Sequence, residues 1–160
     1  MCARLGVSQI PSATLCSAGY SEHTQPDDPA NTGIQEYSFP WPDENKGYAL
    51  FPEELENHPL VLFHGTPKRN LSVIRREGFR ATQKLQSVSY AKNSISSLTH
   101  VIVRRDASPE REDYVVIAVR FKTLDTPEIR INLSDIHVDN PQLQPAIIGN
   151  CVVPKEYAHR

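Results

Sequence analysis

Three consecutive residues, His64-Gly65-Thr66, place an imidazole, a main chain without a side chain and a hydroxyl side by side. The glycine lets a ligand approach the main chain closely. The triplet follows an apolar run, Pro59–Phe63, bounded by a proline and a glycine, which is typical of a buried strand. We therefore predict a ligand site at the end of this strand.

The residues after the triplet predict the elements that would flank such a site. Asn70 is positioned to cap a short helix that ends at Gly78. A second strand is predicted over Leu85–Ala91. Because side chains alternate along a strand, Ser87 and Ser89 share one face and Tyr90 lies on the other.

The rest of the chain predicts an α+β fold, because strands outnumber helices and the order is not alternating βαβ. Only two short helices are expected, both near the front: the one after Asn70, and one capped by Asn93 or Ser94 with Ile95, Leu98, Val101 and Ile102 on one face. The further predicted strands are Tyr114–Phe121, Glu128–Leu133, which runs into a turn at Ser134–Ile136, and Pro145–Pro154, with a bulge at Gly149.

Composition divides the chain into a flexible N-terminal segment, residues 1–36, and a domain over residues 37–160. Residues 1–36 are rich in Ser, Pro, Asp, Thr and Gly, and such a composition does not offset the entropy of ordering. Tyr37–Pro42 carries three aromatic side chains between prolines. It predicts an extended strap on the folded body, and one alternative is an interaction domain that presents this strap to a partner.

Charge, hydropathy, and histidine and cysteine spacing argue against four classes of protein: duplex-binding, membrane-spanning, metal-binding and disulfide-rich. The formal net charge of −2 argues against the broad basic surface of a duplex-binding protein. No apolar run reaches membrane-spanning length, and the six histidines show no metal-ligand spacing, so we predict no membrane and no metal. Three widely spaced cysteines predict no disulfide framework. We expect a cytoplasmic protein, or an effector secreted by a system that reads a flexible N-terminus.

The order of a strand, His-Gly-Thr, a short helix ending Glu77-Gly78-Phe79 and a serine-bearing strand resembles the ADP-ribosyltransferase superfamily. The histidine-first branch of diphtheria toxin and the poly-ADP-ribose polymerases is the most similar, over residues 59–157. The resemblance implies a split β-sheet, two small antiparallel sheets that enclose an NAD cleft. It also implies that His64 contacts a ribose hydroxyl, that the main chain of Gly65 contacts the nicotinamide amide, and that Thr66 supports the turn.

Two further positions follow from the resemblance. In the polymerase branch a tyrosine stacks on nicotinamide, which favours Tyr90; in the cholera-toxin branch a serine acts there, which favours Ser87. The catalytic glutamate at the start of a late strand is matched by Gln144, in Gln142-Leu143-Gln144. An amide orients a ribose through hydrogen bonds, but it lacks the charge that stabilises a developing cation, a difference of about 2–4 kcal/mol.

The expected function is NAD-dependent mono-ADP-ribosyl transfer to a protein or nucleic-acid acceptor, by a monomer, as in a toxin or effector. His64, Tyr90 and Gln144 are the predicted catalytic residues, and Lys68 or Arg75 is a candidate for the pyrophosphate. Two alternatives keep the fold: a catalytically inactive module that binds NAD or protein, and an RNA 2′-phosphotransferase-like enzyme.

Overall fold

A computed structural model describes residues 33–81, 86–133 and 135–158. Seven strands and three α-helices follow one another along these ranges. They are β1 (Gln35–Tyr37), α1 (Glu53–Glu56), β2 (Val61–Pro67), α2 (Leu71–Glu77), β3 (Val88–Ala91), α3 (Ser94–Asp106), β4 (Tyr114–Arg120), β5 (Ile129–Ile131), β6 (Asp135–Val138) and β7 (Ala146–Val153).

The strands form one mixed sheet in the order β1-β7-β4-β2-β3-β6-β5, so the predicted α+β class is confirmed. All neighbours are antiparallel except β1 and β7, which are parallel. Two separate sheets were expected, and this prediction is wrong because all seven described strands belong to one sheet. β2 and β3 join the two halves, but through one residue pair, Phe63 with Ala91. We call this junction the seam.

Both faces of the central strands are covered. On one face α3 packs over β2, β4 and β3, with Phe63, Leu98, Val101, Val116 and Cys151 in the interior. On the other face Leu71 and Ile74 of α2 and the ring of Phe79 pack on Leu62, Val115, Ile117, Tyr90 and Ile136. The central strands are therefore apolar on both sides, which explains why β4 is a continuous apolar run.

The helices differ in part from expectation. The side chain of Asn93 accepts a hydrogen bond from the main chain of Ser96 at 2.8 Å, so it caps α3 as predicted. Asn70 makes no capping bond; its Nδ2 donates instead to Oγ1 of Thr66 at 2.9 Å. The structure also adds α1, which was not predicted, and α3 is a full 13 residues long.

Strand boundaries also differ in places. Asp135 begins β6, where a turn was expected, because its strand pairs with β3 through four residue pairs. The predicted bulge in β7 is present: Gly149 pairs with Ala118 and Ile147 with Val119, which leaves Ile148 as the extra residue. Gln35 and Glu36 belong to β1, although they were assigned to the flexible segment. Residues 1–32, most of that segment, lie outside the described ranges.

Among the described residues, no helix is long and apolar enough to cross a membrane.

Candidate active site at the seam

His64 lies at the seam, in the middle of β2. The triplet was expected at a strand end, but β2 runs on to Pro67, because His64, Gly65 and Thr66 all pair with β4 opposite Ile117, Val116 and Val115. On its other side β2 parts from β3 after the single pair at Phe63. Nδ1 of His64 reaches across this gap to the carbonyl oxygen of Ser89, 2.9 Å away. The imidazole thus replaces a main-chain bond between the diverging strands.

This hydrogen bond fixes the protonation of the ring. A carbonyl oxygen only accepts, so Nδ1 of His64 carries the proton. Burial lowers the pKa of His64, and the charges of Arg104 and His100 lower it further, against the opposing effect of the Ser89 bond. The neutral ring therefore leaves Nε2 as an acceptor. The rings of Phe79 and Tyr90 lie 5.2 and 5.6 Å from it, centroid to centroid, and hold its orientation.

Two cavities open beside His64. The first, the α3 cavity, is about 160 Å³ and lies between α3 and β3. The second, the α2 cavity, is about 400 Å³ and lies toward α2 and the residues that follow it. His64, Gly65, Arg80, Val88 and Arg104 line both. The seam therefore has open space on each side of the predicted histidine.

The absence of a side chain at Gly65 has a structural cause. A Cβ at this position would clash with Cγ2 of Val101 and lie 3.1 Å from both the carbonyl oxygen and Oγ of Ser97. Gly65 thus lets α3 pack directly on β2. The direction in which a side chain would point is filled by protein, so any ligand must approach the main chain of Gly65 from the cavities.

Thr66 is buried in β2 and does not form a turn. Its Oγ1 accepts the hydrogen bond from Asn70 and so ties the start of α2 to the strand that carries His64. It lines the α2 cavity with Asn70. Thr66 therefore fixes the start of α2 against β2 and does not stabilise a turn.

The strand β3, with Ser87 directly before it, carries both candidates for the residue that contacts nicotinamide and places Ser87 and Tyr90 on opposite faces. As predicted, the serines share one face: Oγ of Ser87 and of Ser89 lie 3.2 and 3.1 Å from Nδ1 of His137. Tyr90 is on the other face, 2% exposed, with Phe79 and Phe121 at 5.5 and 5.3 Å between ring centroids. Burial raises the pKa of the Tyr90 hydroxyl. Both Ser87 and Tyr90 line the α3 cavity, but the ring of Tyr90 is enclosed by its aromatic neighbours.

The side chain of Gln144 is bound to main-chain groups behind His64's neighbour Phe79. Its Oε1 accepts from the main-chain nitrogen of Phe79 at 2.7 Å, and its Nε2 donates to the carbonyl oxygens of Phe79 and Pro141, each at 2.8 Å. It lines neither cavity beside His64 but an adjoining depression, which shares Ile74, Gly78 and Phe79 with the α2 cavity. Both amide hydrogens are used within the protein, so this geometry does not support contact with a ribose.

Two polar residues that the sequence did not single out share a strand register or a cavity with the site. In β7, Asn150 stands in register with Ile117 and His64, so it is on the face of His64, two strands away. It is 2% exposed, and its Nδ2 donates to the carbonyl oxygen of Gln35 at 3.4 Å. Asp135 lines the α3 cavity and, among the described residues, is the one carboxylate that lines either cavity. No local signal in the sequence marks it, because its position follows from the pairing of β6 with β3.

The basic residues proposed for a pyrophosphate also lie elsewhere. Lys68 and Arg75 line an open groove along α2 that is separate from both cavities. Lys68 is paired with Asp113 at 3.4 Å and Arg75 with Glu36 at 3.3 Å. The guanidinium groups at the seam are those of Arg80 and Arg104.

Within the described ranges no group of three His, Cys, Asp or Glu side chains could hold a metal ion. Cys151 is fully buried in β7, and burial raises its pKa to about 12. Its thiol is therefore not the reactive thiolate that nucleophilic chemistry needs.

No family model matches the chain, and no curated protein matches it either.

Proposed function

We propose that the chain binds NAD at the seam and transfers ADP-ribose to a macromolecular acceptor with release of nicotinamide. The observation that carries this proposal is the place of His64: a neutral imidazole, fixed by Ser89 in the gap between two strands, with a cavity on each side. The two cavities share five lining residues, which suits an extended ligand such as a dinucleotide that passes the imidazole.

His64 orients the cofactor in this proposal. With the proton on Nδ1, its Nε2 accepts a hydrogen bond from a ribose hydroxyl. The neighbouring main chain of Gly65 lines both cavities and offers polar groups to the nicotinamide amide. These roles need no charge on the imidazole, which agrees with the lowered pKa of His64.

The carboxylate comes from Asp135 rather than from the position of Gln144. Cleavage of the bond between the ribose C1 and nicotinamide develops positive charge on the ribose, and a carboxylate close by stabilises it. Asp135 lines the α3 cavity with His64 and His100, whereas Gln144 is bound to Phe79 and Pro141. The acceptor then attacks C1, and nicotinamide leaves with the electron pair of the broken bond.

A specific observation also favours the inactive module. The polar residues just before and within the late strand that could face a ligand are amides: Gln144 is held by Phe79, and Asn150 is buried against Gln35. If Asp135 does not take this role, the seam binds NAD without turnover. The RNA 2′-phosphotransferase alternative stays a prediction.

The test uses NAD labelled in its ADP-ribose part, with cell lysate as the source of acceptor. We expect labelled macromolecules and free nicotinamide from the wild type, and a loss of roughly 100-fold in Asp135→Asn, the effect typical of removing one electrostatic partner of the transition state. Gln144→Glu should not raise the rate, because the new carboxylate would stand outside both cavities.

Calorimetry with NAD separates binding from chemistry. His64→Ala should weaken NAD binding, whereas Asp135→Asn should bind NAD and not turn it over. NAD binding without nicotinamide release by the wild type would support the inactive module. Absence of NAD binding by the wild type would overturn the proposal.

A further inference from the structure

One face of α3 presents a polar row to the α3 cavity. Ser97, His100 and Arg104 are three and four residues apart, so they lie one above the other along the helix, and all three line the cavity. Arg80 lines it from the segment after α2. Donor groups from two separate parts of the chain therefore converge on one small space.

The charge of this cavity is positive on balance. Arg80 and Arg104 contribute two guanidinium groups, and Asp135 contributes one carboxylate. Arg80 is also paired with Glu77, at 2.9 Å. Arg104 forms no salt bridge with any residue of the described ranges. Its charge lowers the pKa of both His64 and His100, after the larger effect of burial.

Ser97 adds an uncommitted hydroxyl. The residue is 3% exposed, and its Oγ has no hydrogen-bond partner in the described part of the protein. A buried hydroxyl without a partner costs free energy, and native structures keep such groups rare. At the wall of a cavity lined by arginines, an acceptor oxygen of a ligand would supply the missing partner.

The size of the cavity limits what it can hold. Its volume of about 160 Å³ lies below the range of about 300–1,000 Å³ that is usual for whole small-molecule ligands. The space thus suits one group of a ligand. Arginine forks match the oxygens of phosphate in geometry as well as in charge.

We propose that the α3 cavity is a subsite for a phosphate group, bound by Arg104, Arg80, His100 and Ser97. This subsite does not depend on ADP-ribosyl transfer. The phosphate has two possible sources, the pyrophosphate of NAD itself or a phosphate carried by a second substrate. Both present the same oxygens to the cavity.

In the first experiment, inorganic phosphate is titrated into the full chain at low ionic strength, and calorimetry measures the binding affinity. Arg104→Gln should weaken phosphate binding by about tenfold or more, because a charged hydrogen bond is lost. Arg111→Gln is the matched control, since Arg111 is exposed and lines neither cavity. This variant removes the same charge. It should change the phosphate affinity less than about twofold, because only a distant charge that salt screens is lost.

A second pair of variants tests the hydroxyl. Ser97→Ala should weaken phosphate binding by a few-fold, whereas Ser96→Ala, an exposed serine of the same helix, should not. Circular dichroism checks that each variant is folded. If the wild type binds no phosphate, or if Arg104→Gln and Arg111→Gln bind it equally, the subsite is absent.

The two sources are separated by repeating the titration with saturating NAD. Competition between phosphate and NAD assigns the subsite to the cofactor's own pyrophosphate. Unchanged phosphate affinity assigns it to a second substrate. If NAD does not bind at all, the proposed transferase fails while the result with phosphate alone still decides the subsite.

Discussion

The two halves of the sheet, on either side of the seam, are built differently. In the larger half β2, β4 and β7 are joined by seven residue pairs at each boundary and are covered on both faces. In the smaller half β3, β6 and β5 are joined by four and three pairs, and one face carries Ser89, His137 and Arg130. A single pair connects the halves. The larger half holds His64 in place, and the smaller half leaves the space beside it.

The contrast between the two halves indicates where a ligand site can form in a small sheet. A gap between strands leaves main-chain groups without partners, which costs free energy when they are buried. Here the imidazole of His64 donates to the carbonyl oxygen of Ser89, so this carbonyl keeps a partner although the strands part. Rigidity on one side and an opening on the other then coexist within one sheet.

The largest expected effect comes from the centre of the larger half. Ile117→Ala removes a fully buried side chain from β4, and we expect a loss of about 2–5 kcal/mol in the free energy of unfolding. Ile131→Ala, at the outer strand of the smaller half, is the matched control. Its side chain is 54% exposed, so the loss should stay within about 0.5 kcal/mol. Urea unfolding measures both losses. Equal losses would show that the two halves of the sheet do not differ in packing.

Gly65→Ala should cost about 1–3 kcal/mol, because the added Cβ overpacks the contact between β2 and α3. Val101→Ala frees that space, so it should be less destabilising in the Gly65→Ala background than in the wild type. Gly33→Ala is the control, since no atom lies within 4 Å of its Cβ position. Strictly additive losses in the double variant would show that Val101 is not the obstacle.

Gln144→Ala should cost about 1 kcal/mol in unfolding, since three hydrogen bonds to main-chain groups are lost at an exposed position. Gln142→Ala, two residues earlier and also exposed, should cost almost nothing. If Gln144 instead contacts the ribose, Gln144→Ala will weaken NAD binding while leaving the urea midpoint unchanged.

Ser97→Ala should raise the free energy of unfolding by about 0.5–1 kcal/mol without ligand, because it removes a buried hydroxyl that has no partner and improves helix propensity. Added phosphate should shrink this gain, since only the wild type offers the hydroxyl. Thermal unfolding with and without phosphate measures the difference. A destabilised variant without ligand would show that the hydroxyl has a partner after all.

Stability should fall as the pH drops below neutral. The pKa values of His64 and His100 are both lowered in the folded protein, chiefly by burial. Between these lowered values and the ordinary value of 6.5, the unfolded chain binds more protons, so the free energy of unfolding decreases with acidification. Urea unfolding between about pH 7.5 and 5.5 measures the slope, which should flatten in His64→Asn/His100→Asn. An unchanged slope in that variant would place the titration elsewhere.

Features that depend on residues close together in the chain were predicted from the sequence. The apolar run of β4, the Asn93 cap of α3 and the bulge beside Gly149 follow from local patterns, and each is present. The position of His64 in mid-strand was missed, because it depends on pairing with β4, some fifty residues later in the chain. The hydrogen bonds of Gln144 could not be predicted for the same reason, since its partner Phe79 is 65 residues away.

The parallel pairing of β1 with β7 has a practical consequence for fragments of this chain. Tyr37 packs its ring against Gly149, where a Cβ would lie 2.7 Å from Cε2 of the tyrosine, and Gln35–Tyr37 cover the outer edge of β7 over three residue pairs. A shortened protein that starts after Tyr37 exposes a bare β-edge with apolar neighbours, which is a template for self-association. Expression fragments that begin at or before Gly33 keep this edge covered and should stay soluble at higher concentrations.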